Sequence, residues 1–266
     1  MDLQLHDKHA LVTGASSGIG EGIARWLAEE GATVIAHGRD RAEAERVAQD
    51  IEGRGGSAIA VEGDLAGDQG ARQAIEEALA AAARIDVLIN NVGTFGFAGW
   101  AEAGSEDWSA IYNGNVVAAT RMIARVTEGM KGRGFGRIIQ IASYEAALPS
   151  SRFPTYAAAK AALLNLTVSL SKELAGTGIT VNAVSPGLVK TSTVEEAYRK
   201  RAAAAGWGED WAEIERHIAE EVFPNVIGRV ARIEDVAALV AFLASPLAGY
   251  ITGQNHRVDG GYLGSR

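Results

Sequence analysis

Tyr156-Ala-Ala-Ala-Lys160 places a tyrosine and a lysine four residues apart, which on a helix is one face. A phenol with a pKa near 10 exchanges protons poorly at pH 7. An ammonium group beside it stabilises the phenolate and lowers that value, the tuning that general acid–base catalysis needs. Taken alone the pair is common on helix surfaces, so its surroundings decide its meaning. A second piece of chemistry lies near the start, in Thr13-Gly-Ala-Ser-Ser-Gly-Ile-Gly20. Gly14 allows a tight turn, Gly18 lets a phosphate approach the backbone, and Gly20 lets helix and strand pack closely. Ser16, Ser17 and Ile19 complete the turn. The helix that follows presents free N–H groups and a partial positive charge to a pyrophosphate. The same residues offer a rival, because Gly14-Ala-Ser16-Ser-Gly18 matches the G-x-S-x-G nucleophile elbow of α/β-hydrolases, with Ser16 as nucleophile. That chemistry also needs a later acid and histidine, and an oxyanion loop from an earlier strand. Thirteen residues before Gly14 leave little room for such a strand, and His217 and His256 stand in no recognisable context.

The elements that must position these groups are legible as short apolar runs alternating with longer helical segments. His9–Thr13, Thr33–Ala36, Ala58–Val61, Val87–Ile89, Arg137–Ile141 and Thr180–Val184 read as buried strands, and Asn255–Asp259 as a last one. Gly20–Glu30, Arg41–Glu52, Asp68–Ala83, Ser105–Met130 and Phe153–Ala175 read as helices between them. This alternation gives right-handed crossovers and an α/β fold: a doubly wound parallel sheet with helices on both faces. No repeat or linker divides the chain, so residues 1–266 form a single domain. From Leu188 to Ile227 the strand rhythm stops in favour of a polar helical run bearing Trp207, Trp211 and Phe223. An excursion of that length is usually functional, and the stretch from about 190 to 225 is expected to be a mobile substrate lid. Trp207 and Trp211 would share a face of a continuous helix, unless Gly206 and Gly208 break it. Trp26 is expected to pack rather than act.

The chain has 47% hydrophobic and 22% charged residues, a net charge of −8, and no cysteine. Disorder, disulfides and a thiol nucleophile are excluded, and without a basic block a nucleic-acid role starts poorly. The five histidines show no metal-ligand spacing, so no metal is expected. The longest apolar helical stretch, Val236–Ala244, is too short to cross a bilayer, and no signal-peptide core precedes His9. A cytoplasmic protein without membrane contact is expected.

Taken together, the chain resembles the short-chain dehydrogenase/reductase family over essentially its whole length, in its 3-oxoacyl-reductase-like branch. The resemblance rests on Thr13–Gly20, Asp64-Leu65, Asn90-Asn-Val-Gly93, Asn115, Ser143, Tyr156-x3-Lys160, Ser185-Pro-Gly187 with Val189 and Thr191, and Val258-Asp-Gly-Gly261. Ser143 stands thirteen residues before Tyr156, the family interval. Val92 and Ala142 are small departures outside the catalytic set. The resemblance implies a Rossmann fold and a nicotinamide-dependent interconversion of ketone and secondary alcohol. It implies that Tyr156 is the acid/base, that Ser143 stabilises the carbonyl oxygen, and that Lys160 holds the nicotinamide ribose and lowers the tyrosine pKa. Asn115, rather than Asn113, would kink its helix and fix a water in a proton relay. Asp64 and Leu65 would contact adenine, Asn91, Val92 and Gly93 would support the adenosine side, and Pro186, Gly187, Val189 and Thr191 would cradle the carboxamide. A non-catalytic NADP-binding regulator is the other class to weigh, although it has no need of the relay.

After the second strand the chain reads Gly38-Arg39-Asp40. Glycine cannot repel a 2′-phosphate and the Arg39 guanidinium can pair with one, so NADP(H) is favoured. A two-residue slip would instead make Asp40 an acid of the NAD(H) type. Phe95, Phe97, Trp100, Tyr144, Leu148 and Phe153, with Trp207 and Trp211 of the lid, suggest an apolar or ring-containing ketone as partner. The resemblance also implies a homotetramer, with alanines 157, 158, 159, 161 and 162 allowing close helix approach.

Overall fold

In the computed structural model, which describes residues 1–262, the apolar runs become seven parallel strands. They are β1 (His9–Val12), β2 (Thr33–Gly38), β3 (Ser57–Glu62), β4 (Val87–Asn90), β5 (Gly136–Ile141), β6 (Ile179–Pro186) and β7 (Asn255–Val258). Their order in the sheet is β3-β2-β1-β4-β5-β6-β7. The last four positions of the expected 1–266 domain lie outside the described residues.

The register explains the near-continuous hydrophobicity of the strands. Ile59, Ile35, Leu11, Leu88, Ile138 and Val181 are successive partners across six strands, and all but Ile59 are fully buried or nearly so. On the opposite face the row is Ala36, Val12, Ile89 and Ile139. A parallel sheet must be covered on both sides. Helices α1 (Gly18–Glu29), α2 (Arg41–Gly53) and α9 (Ile233–Ala244) cover one face; α3 (Asp68–Ala82), α5 (Ala118–Arg133) and α6 (Pro154–Glu173) cover the other. Burying each large side chain in those rows contributes roughly 1.5–3 kcal/mol. Trp26 packs against the α1 side of the core, as its sequence context suggests.

Between β1 and β4 the strand order reverses direction, and the loops after the two strands part there. Ligands of doubly wound sheets bind in the crevice such a reversal opens at the carboxyl ends of the strands. The single helix expected over Ser105–Met130 is interrupted. Helix α4 (Ser105–Tyr112) and α5 are joined by one π-helical turn, Asn113–Val117. Its cause is the Asn115 side chain, whose Nδ2 donates to the Ile111 carbonyl at 2.8 Å and to the Thr94 carbonyl at 2.8 Å. The amide thereby takes up the carbonyl four residues back, and the ladder widens by one residue.

The excursion after β6 contains α7 (Ser192–Ala205) and α8 (Trp211–His217), followed by a π-turn over Ile218–Val222. Gly206 ends α7 with φ of 71°, so Trp207 and Trp211 do not ride on one continuous helix. The segment has its own small core of Ala202, Ile214, Ile218, Phe223 and Val230. No helix among the described residues is long and apolar enough to cross a membrane.

Candidate active site

A groove of about 470 Å³ opens where the strands reverse. The glycine-rich turn supplies one wall: Gly14, Ser16, Ser17, Gly18 and Ile19 line it, with Gly14 and Gly18 at positive φ of 66° and 57°. Helix α1 starts at Gly18, and Ser17 makes no side-chain cap. Its first N–H groups are therefore left for another acceptor, the situation that favours a phosphate. Arg39, Asp64, Leu65, Asn91, Val92, Gly93 and Thr191 line the same groove, as the sequence motifs imply. Arg39 is exposed, and no carboxylate among the described residues pairs with it. Asp40 is committed elsewhere: it is the N-cap of α2 and accepts the Ala42 N–H at 2.9 Å. The two-residue slip that would have made it the ribose acid is not what the chain does.

Besides Tyr156 and Lys160, four expected cofactor residues, Gly20, Pro186, Gly187 and Val189, stand behind or beside the groove rather than on its surface. Gly20 is buried against Gly14 and Asn91, Pro186 is paired with Val258 in the sheet, and Val189 makes an isolated bridge with Ala231. Gly187 lines a separate cavity of about 300 Å³ with Phe223 and Asp259. The groove also has walls that sequence reasoning missed, namely His37, Ala66, Thr94, Gly114, Ser192 and Thr193. His37 is fully buried; its Nδ1 accepts the Gly14 N–H at 3.2 Å, and its Nε2 meets the Gly63 carbonyl at 2.9 Å. Burial holds this imidazole below its ordinary pKa, which keeps it neutral with one nitrogen as acceptor. It is a strut between the glycine-rich turn and the end of β3. A polar residue inside an otherwise apolar strand was the available signal. The strut also weakens the hydrolase alternative, because the histidine nearest Ser16 in the fold has both nitrogens engaged. His217 is held by Glu221 at 2.9 Å, and His256 lies in β7.

Ser143, Tyr156 and Lys160 are not among the groove's lining residues; they gather beside its Gly93 wall, which the Lys160 ammonium approaches. Ser143 follows β5 and caps a short turn, its Oγ accepting the Glu145 N–H at 3.2 Å. Its side chain also hydrogen-bonds Tyr156. Lys160, one turn along α6 from Tyr156, is only 3% exposed and donates to the Ile141 carbonyl at 2.9 Å. Gly93 is required here by close approach: a Cβ on it would stand 2.7 Å from Asn115 Oδ1 and 3.2 Å from Lys160 Nζ. The asparagine, the lysine and the loop after β4 thus meet at one point. Asn115 Oδ1 is buried without a partner and faces this spot. Asn113, the other candidate, is bound instead to Arg121 and the Ala66 carbonyl.

The electrostatics differ from the expectation that lysine lowers the tyrosine pKa. Burial pushes Tyr156 up to about 12, with the Ser143 hydrogen bond opposing and the Glu145 charge adding. Burial also pulls Lys160 down to about 8. The lysine nitrogen sits 5.5 Å from the tyrosine ring centre and is turned to a main-chain carbonyl. Desolvation outweighs the pair's attraction at this distance.

Beside Tyr156 a ring cluster leads to a second cavity of about 450 Å³. Phe95 lies 4.6 Å from the Tyr156 ring and 4.8 Å from Phe153. Phe97, Tyr144, Leu148, Phe153, Tyr198, Val222 and Tyr262 line the cavity. Phe95 stands behind Phe97 and Phe153 rather than on the lining, and three further expected aromatics do not reach the cavity. Trp100 packs on Trp108, Trp207 stacks on His217 at 5.1 Å, and Trp211 lies beneath Lys190 at 4.3 Å. The break at Gly206 leaves both tryptophans packed against the small core of the segment itself.

Residues 8–202 match the short chain dehydrogenase family model. A 3-oxoacyl-[acyl-carrier-protein] reductase of Synechocystis is 35% identical over 257 residues, covering 96% of each chain. The L-sorbose reductase of Gluconobacter frateurii, solved with NADPH and L-sorbose, superposes with a TM-score of 0.93 at 32% identity over 100% of both chains. A putative NAD(P)-dependent gluconate 5-dehydrogenase of Beutenbergia cavernae, solved with NADP at low occupancy, gives 0.86 at 39% identity, again over 100% of both. With its sheet order, its glycine-rich turn and these full-length likenesses, the chain belongs to the short-chain dehydrogenase/reductase family of oxidoreductases.

Proposed function

We propose that the protein is an NADP(H)-dependent oxidoreductase that interconverts a ketone and a secondary alcohol. The observation that carries this reading is the meeting of Asn115 and Lys160 at Gly93, a wall of the groove, with Tyr156 one turn from the lysine on α6 and Ser143 at the end of β5. The groove suits NADP(H): an uncapped helix start for the pyrophosphate and an unpaired Arg39 for the 2′-phosphate. Neighbours of this fold were solved with NADPH or NADP. When bound, the nicotinamide supplies the hydride, and the chain supplies orientation and proton handling.

Tyr156, held protonated by its burial, donates its phenolic proton to the carbonyl oxygen in reduction. Ser143, already hydrogen-bonded to that phenol, donates to the same oxygen as charge develops. Lys160 retains its charge at neutral pH and stands where the ribose hydroxyls would lie. The unpartnered Oδ1 of Asn115 would accept from a relay water beside it. The aromatic wall from Phe95 to Phe153 receives the body of an apolar or ring-containing substrate, and α7 and α8 act as its lid.

The protein is further read as a homotetramer through α4, α5 and α6, where Tyr112 and Val168 are exposed. Of the alanines expected at that contact, 157 and 159 point inward, leaving 158, 161 and 162. Sedimentation as a monomer at micromolar concentration would remove the assembly. The catalytic reading is tested by NADPH consumption with a panel of ketones. Turnover separates it from a non-catalytic regulator, and failure with every ketone and with the reverse alcohol panel would overturn it.

A further inference from the structure

The second cavity carries more charge than an uncharged ketone requires. Arg152, in the loop before α6, and Arg201, on α7, both line it. Each guanidinium is restrained by rings: Arg152 lies 5.4 Å from the Phe153 centroid, and Arg201 lies 5.9 Å from Tyr198 and 5.1 Å from Trp207. Trp207 is itself fixed by its stack on His217. The lid tryptophan thus acts on the cavity through Arg201 rather than by touching its contents. Tyr198 lines the same cavity, with the Arg201 guanidinium 5.9 Å from its ring. No carboxylate among the described residues pairs with either side chain, although the chain carries a net charge of −8. A guanidinium braced by aromatic rings keeps planar N–H donors free for a carboxylate or phosphate.

The opposite polarity stands at the catalytic end. Glu145, 3% exposed, also lines the cavity, its Oε2 accepting the Ser150 N–H at 2.6 Å. It lies two residues from Ser143, and its charge reaches Tyr156. A buried carboxyl group on the wall nearest Ser143 in the chain and two exposed guanidinium groups elsewhere on the lining give the cavity opposite polarities. An anion is repelled from the first and drawn to the second, which orients an elongated substrate carbonyl-first.

We propose that Arg152 and Arg201 form an anion subsite at the distal end of this cavity, so that the ketone substrate carries a carboxylate or a phosphate monoester there. The proposal rests on the ketone-reductase reading above and narrows its substrate class. It is also a correction to the sequence reading, which weighed the aromatics and passed over the two arginines.

The test uses the full-length protein with NADPH and a series of oxo acids, 4-oxopentanoate, 6-oxoheptanoate and 8-oxononanoate, beside their neutral methyl esters. One oxo-alkyl phosphate monoester separates the phosphate from the carboxylate source. At low salt the best acid or phosphate should exceed its neutral counterpart in kcat/KM by roughly tenfold, the scale of two partly exposed charge contacts. R152Q/R201Q should bring that ratio to about one, and raising the salt should shrink it in the unmodified protein. Equal kcat/KM for acid and ester, or a ratio unmoved by the double substitution, would overturn the subsite. A parallel titration of the same probes into the NADP+-loaded protein, followed by tryptophan fluorescence, does not depend on turnover. Anion-selective binding that is lost in R152Q/R201Q supports the subsite even if no probe is reduced, in which case only the reductase reading falls. Equal binding of acid and ester there would overturn it.

Discussion

Lys160→Met should make the cofactor-free protein more stable while removing its activity. The lysine is 3% exposed, its pKa lies at about 8 rather than 10.5, and burial is the cause. Keeping that charge in the folded chain at pH 7 costs up to about 3 kcal/mol, at 1.36 kcal/mol for each tenfold change in the proton equilibrium. Methionine has a similar reach and no charge, but it abandons the hydrogen bond to the Ile141 carbonyl, worth about 1 kcal/mol. The net expectation is a gain of about 2 kcal/mol at pH 7. The sign follows from proton binding: between pH 8 and 10.5 the unfolded chain holds a proton on this lysine that the folded chain has released. Stability of the unmodified protein therefore rises with pH across that window, and the advantage of methionine shrinks. The assay is urea denaturation of both proteins without cofactor, at one protein concentration, at pH 7 and at pH 10. A variant less stable at pH 7, or an advantage unchanged at pH 10, would refute the view that the site stores the cost of a buried charge.

Gly38→Asp with Arg39→Ile should move the kcat/KM ratio from NADPH towards NADH by at least about tenfold, because a ribose acid replaces the phosphate's partner; an unchanged ratio would show that the end of β2 does not read the ribose. Reduction at saturating ketone should be level from pH 6 to 7 and decline above about pH 8, where Lys160 loses its proton as pH rises through its lowered pKa. Activity still climbing at pH 9 would contradict the role of its charge. His37→Leu should weaken NADPH binding about tenfold and cost about 2 kcal/mol of stability, since the Gly14 N–H and Gly63 carbonyl lose their partner. Isothermal titration and urea denaturation read the two effects, and wild-type values in both would remove the strut.

The sequence announces the sheet because buried parallel strands leave continuous apolar runs such as His9–Val12 and Arg137–Ile141, and the structure makes each of them a strand of one parallel sheet. The phosphate turn and the Tyr156–Lys160 face are local patterns, complete within a few residues, and so they too can be read directly. Asn115 is singled out only through the family resemblance, and the helical pattern around it implies one uninterrupted helix; its side chain takes a main-chain carbonyl, and the π-turn is the result. What could not be read depends on long-range packing. Nothing near His37 in the chain reveals that its two nitrogens join Gly14 to Gly63. Trp207 and Trp211 have the right type for a pocket, but the break at Gly206 leaves them packed against the small core of their own segment. The raised pKa of Tyr156 likewise depends on how deeply α6 is buried, which a four-residue spacing does not record.

In the proposed reaction everything turns on Tyr156 passing its proton to the carbonyl oxygen. The most direct measurement is single-turnover reduction by Tyr156→Phe, with NADPH affinity titrated separately. Loss of the hydroxyl leaves the ring contact with Phe95 and the groove intact. The expected result is a rate at least about a hundredfold lower, the scale of a positioned acid, with NADPH affinity within about twofold of the unmodified protein. A variant retaining more than about a tenth of the rate would contradict the assignment, since general-acid catalysis on that scale cannot survive removal of the acid.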